Sequence, residues 1–526
     1  MLIGRRRLRR SGLMALLIGA LPAVLPAQRV EVEELILDNG MKFLLVARPG
    51  DPHVAAGWVA KIGSVNERPG VTGIAHLFEH MMFKGTSVIG TTGIEAELEV
   101  LGELDGAREA ARRHQMALIE RRRRGEIDDA DDPRHRSPEH AALLERIEAL
   151  ETRAREFIVK DELDRLYTTA GALGLNAGTS YDFTIYYVMV PANKLELWFW
   201  VESDRLLNPV FREFYSERAV VHEERRLRTD STPLGRFEEQ FESLFWQSSP
   251  YGWPIVGWPS DLENITREEA LSFFDVYYAP NNLTACLVGD FDVAQARAWA
   301  ETYFGRLRRG PREPEPVRTL EMPQQAEARM IGFADANPSV EIRYHSVADG
   351  HVDEPALVLL GSALGGRTGR LYRALVLERQ MATSAGAGQN GFRYEGYFEF
   401  RAQARPPHTP EALEQAMNEE IERLKREPLS DRELEKVKNQ ELAARFRRLQ
   451  SPAGLRNELL TRDALRVWRT INTDGELYQA VTAEDIRRAA EKYFRPEQRA
   501  VALYYRRPAE PAASGVEPPP SPAPRP

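Results

Sequence analysis

The sequence predicts an α+β protein made of two duplicated sheet-plus-helices domains, with a helical hairpin inserted in the first. Three observations predict it. The chain repeats itself: Ile265–Pro280 matches Val481–Pro496 without gaps, and Thr482 lies 216 residues after Thr266. Each copy reads as a Thr-capped helix, an aromatic pair, a proline stop and a β-like run. A fainter match aligns Tyr215–Leu227 with Leu429–Leu442. So long an offset means duplicated domains and not a short-period solenoid. Second, 526 residues exceed what one hydrophobic core organises. Third, the stretch from about Ile94 to Tyr167 is dense in Arg and Glu, with apolar residues at helical spacing.

Taken in order, residues 1–27 read as a targeting segment. Arg5–Arg10 form a positive start, Leu13–Leu25 a short apolar stretch, and Ala27 a cleavage residue. The apolar stretch is shorter than the ~20 residues of a membrane span. No cysteine follows it to anchor a lipid. This predicts an exported protein, periplasmic in a Gram-negative source.

Residues 28–310 form the first domain. Leu35–Val46 reads as a hairpin turning at Asn39-Gly40, and Ala55–Ile62 as a strand. A helix is expected from an N-cap at Thr72 to a stop near Gly85, burying Ile74, Leu77, Phe78, Met81 and Met82. The inserted hairpin, about 94–167, would pack Leu98, Leu101 and Leu104 against Leu143, Leu144, Ile147 and Leu150, turning at Asp128–Arg134. It reads as a structural arm, with partner docking as the alternative. His114, His135 and His140 within it are given no ligand role. A Pro- and Glu-rich linker (311–324), a second domain (325–507) and a Pro-rich disordered tail (508–526) complete the chain.

Composition excludes several functions. Hydrophobic content of 43% and charged content of 28% are ordinary for a globular protein. A net charge of -9 argues against general nucleic-acid binding. The single cysteine, Cys286, rules out a disulfide framework and a Cys-rich zinc site, and its apolar surroundings predict a buried, inert thiol.

The chemistry concentrates at His76-Leu-Phe-Glu-His80. Residues four apart on a helix share a face, so both imidazoles reach one ion. Glu79 sits close enough to address a water on that ion. Two imidazoles, a carboxylate and an open position define a catalytic zinc site, one ion per chain. The water loses its proton to the carboxylate as it attacks a carbonyl. Two surface histidines beside a glutamate are the plain alternative. The H-x-x-E-H order, a chain with only ten histidines, and the amphipathic helix weigh against it. Glu224 is the third ligand by spacing: in helix-like Ser216–Leu227, Glu217 and Glu224 lie about 20° from eclipsed, while His222 and Glu223 point elsewhere. Glu217 would then orient the site from behind.

With these residues in place, the chain resembles the inverted-motif zinc peptidases, the family of pitrilysin, insulin-degrading enzyme and the mitochondrial processing peptidases. The likeness extends over His76–Thr86, Gly174–Tyr187, Glu217–Glu224, Pro250–Pro254 and Tyr277–Asp290. It implies two domains forming half of a clamshell. It also implies zinc on His76, His80 and Glu224, Glu79 as general base and Glu217 in support. Short or unfolded peptides would bind as an added strand along Asn176, Ala177, Gly178 and Thr179.

Two departures stand out. The hairpin stretches the interval from His80 to Glu224 to 144 residues. The Arg and Tyr, seven apart, with which relatives polarise the scissile carbonyl fall on Val376 and Thr383. The resemblance therefore implies a homologous partner subunit supplying both donors. The readings from other classes are a non-catalytic scaffold of a processing complex and a peptide-binding chamber.

Overall fold

A computed structural model describes residues 29–507, so the targeting segment and the Pro-rich tail lie outside the described residues. The first half of the chain runs through β1 (Glu33–Ile36), β2 (Lys42–Ala47), β3 (His53–Ala60), α1 (Ile74–Met81), α2 (Ile94–Arg123), α3 (Pro138–Arg155), α4 (Glu162–Thr169), β4 (Leu173–Thr179) and β5 (Thr184–Pro191). It continues through α5 (Leu195–Leu207), α6 (Phe214–Arg225), α7 (Gly235–Phe245), α8 (Pro259–Asn264), α9 (Arg267–Tyr277), β6 (Leu283–Gly289) and α10 (Val293–Trp299). Residues 305–327 form neither helix nor strand.

The second half comprises β7 (Ala328–Ala334), β8 (Ser339–Ser346), α11 (Glu354–Leu364), α12 (Arg370–Tyr372), β9 (Ala382–Gly391) and β10 (Gly396–Ala404). Then come α13 (Pro410–Arg426), α14 (Asp431–Gln450), α15 (Pro452–Leu465), α16 (Asp474–Ala480), α17 (Ala483–Tyr493) and β11 (Arg499–Arg506).

The repeated segments end in equivalent strands. The six-stranded sheet runs β1-β2-β6-β3-β5-β4 and the five-stranded sheet β7-β11-β8-β10-β9. β6 lies parallel to β2 and antiparallel to β3, as β11 lies parallel to β7 and antiparallel to β8. The helices before them start alike: Thr266 and Thr482 each form a reciprocal capping box, with Glu269 and Asp485.

β3 and β6 are central and almost wholly buried, which the unbroken apolar run Leu283–Gly289 foreshadows. Cys286 is buried there, and burial pushes its thiol well up. One face of the sheet packs Trp58, Leu77, Phe78, Trp198 and Phe199 into the larger core. The other face is covered by a helix of the second half, α15, through Leu455, Leu459 and Leu460. Nothing in the local pattern of α15 indicates that destination. α2 and α3 pair antiparallel, burying Leu101, Leu104, Ile147 and Leu150, whereas Leu98, expected in that seam, is 49% exposed.

α1 corrects the expected cap. Its N-cap is Gly73, at φ 88, and no side chain caps from that position. Thr72 instead donates its hydroxyl to Asp261 (2.7 Å). The orphan amides of the first turn go to the buried Glu67 carboxylate, which accepts from Gly73 N and Ala75 N at 2.8 Å each. A Cβ at residue 73 would stand 2.5 Å from the Val256 carbonyl, so only glycine lets the strand-to-helix turn close. At the other end the buried Arg205 of α5 donates Nε to the Met82 carbonyl (2.9 Å). Both ends of α1 are therefore tied to the scaffold.

Candidate metal centre

α1 presents His76 and His80 one turn apart, with ring centroids 5.0 Å from each other. α6 packs across it and presents Glu217 and Glu224. Glu224 Oε1 is 3.8 Å from His76 Nε2, and its Oε2 is 3.3 Å from His80 Nε2. Ligand atoms of His76, His80 and Glu224 all lie within 4.8 Å of one another, the one such group of three among the described residues. A tetrahedral ion with ~2 Å bonds fits that span after small side-chain shifts. His76 is buried, and burial followed by the neighbouring His80 holds its imidazole down, at about 4. A neutral imidazole is the form that donates a lone pair to a metal.

Glu217 accepts from His80 Nδ1 at 3.4 Å, the outer nitrogen of the candidate ligand, and pairs with Lys84. That contact orients the ring so that Nε2 faces Glu224. Burial pulls the His80 pKa down, but Glu217 and then Glu224 outweigh it, so the net direction is up. Lys84 also reaches Glu213 Oε2, 3.4 Å away.

Glu79 is half-buried between the histidines. Burial raises its carboxyl above the ordinary value, against the Thr179 hydroxyl, which donates to Oε2 at 2.8 Å. A raised carboxyl is the better proton acceptor near neutral pH.

Thr179 ends β4, the outermost strand of its sheet. Asn176, Ala177, Gly178 and Thr179 pair with Tyr187, Tyr186, Ile185 and Thr184 on one side only, leaving the far edge free. These four residues, the histidines and the two glutamates line a single cleft of roughly 960 Å³. Tyr181, Glu238, Glu242 and, from the second sheet, Arg343 and Arg401 close its far wall.

Val376 and Thr383 are not brought to this cleft. Val376 is buried in the second core, and Thr383 donates its hydroxyl to Gln403 Oε1 (2.8 Å). The spacing argument missed Arg228, which sits one helical turn after Glu224 and pairs with its Oε1. The Glu-x-x-x-Arg interval was the available signal. It also missed Lys84, although that residue stands inside the extended motif.

The sequence matches two family models. Insulinase (Peptidase family M16) matches residues 42–115, which contain His76 to His80, and the Peptidase M16 inactive domain matches residues 264–441. Zinc protease PqqE of Helicobacter pylori is 26% identical over 93% of this chain and 96% of its own length. An uncharacterized zinc protease of Streptomyces coelicolor, SCO5738, is 22% identical over 87% and 86%. Among solved structures, a protease from Helicobacter pylori superposes with a TM-score of 0.73 at 22% identity, covering 90% of this chain and 99% of that one. The periplasmic protease PqqL from Escherichia coli gives 0.65 at 17% identity, covering 91% of this chain but 48% of that one.

Proposed function

We propose, from the premise that this chain belongs to the M16 peptidase family, that it is an exported zinc metalloendopeptidase cleaving short or unfolded peptides. The observation that carries the proposal is the convergence of three ligand atoms with a half-buried carboxylate beside a free strand edge. His76 and His80, through Nε2, and Glu224 would hold the zinc. When bound there, zinc supplies a Lewis-acid centre that acidifies water and polarises a carbonyl.

The chain's own residues account for the remaining steps. A peptide adds to the edge of β4 at Asn176–Thr179, where main-chain hydrogen bonds give affinity with little reading of sequence. That docking sets the scissile carbonyl beside Glu79. Glu79 takes the proton of the attacking water and returns it to the amide nitrogen as the C–N bond breaks. Thr179 keeps the carboxylate aimed, and Glu217 keeps His80 turned toward Glu224.

Val376 and Thr383, where the family resemblance expects an Arg and a Tyr, lie outside the cleft and supply it no such donors. A second subunit with the same fold would complete it, and the periplasmic PqqL chain, about twice the matched length, is built on that scale. The apolar start of the sequence supports export to a periplasmic space, and no helix among the described residues is long and apolar enough to cross a membrane.

The deciding experiment pairs metal analysis with peptide hydrolysis. About one zinc per chain is expected, and Glu79→Gln should keep the zinc while lowering kcat by about 10²–10⁴-fold. A well-folded chain without zinc would instead support a scaffold. Peptide binding without turnover in the presence of a partner would support a binding chamber.

A further inference from the structure

Three separate segments meet on one buried guanidinium close to the metal set. Arg212 lies in the turn between α5 and α6 and is 1% exposed. Its Nε donates to Glu97 Oε1 (2.8 Å) and its Nη2 to Glu97 Oε2 (3.3 Å). The remaining donors go to backbone carbonyls of the segment leaving α1: Nη1 to Lys84 (2.6 Å) and Ile89 (3.0 Å), Nη2 to Thr86 (2.7 Å). All five N–H groups of the guanidinium are thus used. Glu97, equally buried, belongs to the first turn of α2.

The backbone is bent to make these contacts. Phe211 at φ 25 and Glu213 at φ 59 flank Arg212, both non-glycine residues in the left-handed region. Strain of this kind persists only where the surroundings impose it, and it concentrates at functional sites. Gly85 completes the cradle: a Cβ there would lie 2.8 Å from Arg212 Nη1 and 2.3 Å from the Ile89 carbonyl.

The contacts run directly into the metal set. Lys84, whose carbonyl Arg212 holds, sends its ammonium to Glu217 and to Glu213 Oε2. Glu213 is the residue after Arg212 and the N-cap of α6. The same residue thus grips the exit of the histidine helix and sets the entry of the glutamate helix.

We propose that Arg212, held by Glu97, is a positioning residue that sets the separation of the His76–His80 helix from the Glu217–Glu224 helix, and with it zinc affinity. This rests on reading the His76, His80 and Glu224 set as a zinc centre. A fork of five fixed donors imposes register where a point charge would not.

The test is zinc affinity, by competition against a chromophoric chelator, in the full chain, with thermal unfolding and circular dichroism alongside. Glu97→Gln keeps the volume and removes the charge. Glu97→Met with Arg212→Met replaces the pair by apolar side chains, which buried ion pairs often tolerate without loss of fold. Both folded variants should bind zinc about tenfold more weakly, the scale on which outer supporting residues act. The double variant should do so even with an unfolding midpoint close to that of the parent. Parental zinc affinity in either folded variant overturns the inference. So does loss of fold in both, because the pair would then be a strut with no separable effect on the site. A parent chain that binds no zinc fails the zinc reading itself, a result distinct from either.

Discussion

Arg228 shows how a single side chain modulates the candidate site without belonging to its ligand set. It is largely exposed, yet its guanidinium pairs with Glu224 Oε1, an atom a metal would need. A cation beside an incoming Zn²⁺ both competes for the carboxylate and repels the ion. Arg228→Ala should therefore tighten zinc binding several-fold in a competition titration, and weaker binding would show that Arg228 holds Glu224 in its useful rotamer. At this scale the histidines were legible in the sequence because they sit on one short helix, where spacing alone dictates a shared face. Glu224 followed from its interval to Glu217. Thr179 was placed on the strand that binds peptide, but its hydrogen bond to Glu79 spans 100 residues and has no local signature.

Among the elements, the turn between β9 and β10 couples the two sheets. Asp182, after the edge strand β4, accepts the Tyr251 hydroxyl (2.7 Å) and the amide of Arg393 in that turn (3.1 Å). Asp182 is 3% exposed, and burial pushes its carboxyl up from 3.8 to about 6, against those two hydrogen bonds. A raised carboxyl makes a contribution to stability that is complete below the unfolded value and is lost as pH rises through the folded one. Between about pH 5 and about pH 7.5 the loss comes to about 1.4 kcal/mol. Asp182→Asn should flatten the pH dependence of unfolding by about that amount; parallel curves for parent and variant would remove Asp182 as its source. The aromatic residues around this joint, Tyr181, Tyr251 and Phe392, pack on one another across the two halves. Nothing in the separate runs Tyr181–Tyr187 and Phe392–Tyr397 marks them as partners.

For the whole molecule, the cleft is built from both halves of the chain, and the proposed partner would add two donors to it. Val376 and Thr383 lie away from it. Each missing donor is worth about 3 kcal/mol of transition-state stabilisation, or about a hundredfold in rate. The chain mixed with a homologous subunit that carries Arg and Tyr at those places should therefore turn over peptide at least about a hundredfold faster than the chain alone. Full turnover by the monomer would count against a partner. The α2–α3 hairpin lengthens the interval between His80 and Glu224 without separating them in space, since its first turn is pinned by Arg212.

The sequence by itself determined the duplicated architecture, the candidate metal-ligand histidine pair and its glutamate, because these depend on periodicity, capping and spacing within a few turns of chain. The tertiary structure alone decided what holds them. Glu67 in place of Thr72 at the head of α1, α15 on the far face of the first sheet, and Arg212 between two helices are contacts between distant segments. Their geometry follows from packing and from satisfying buried charges, which no local pattern encodes.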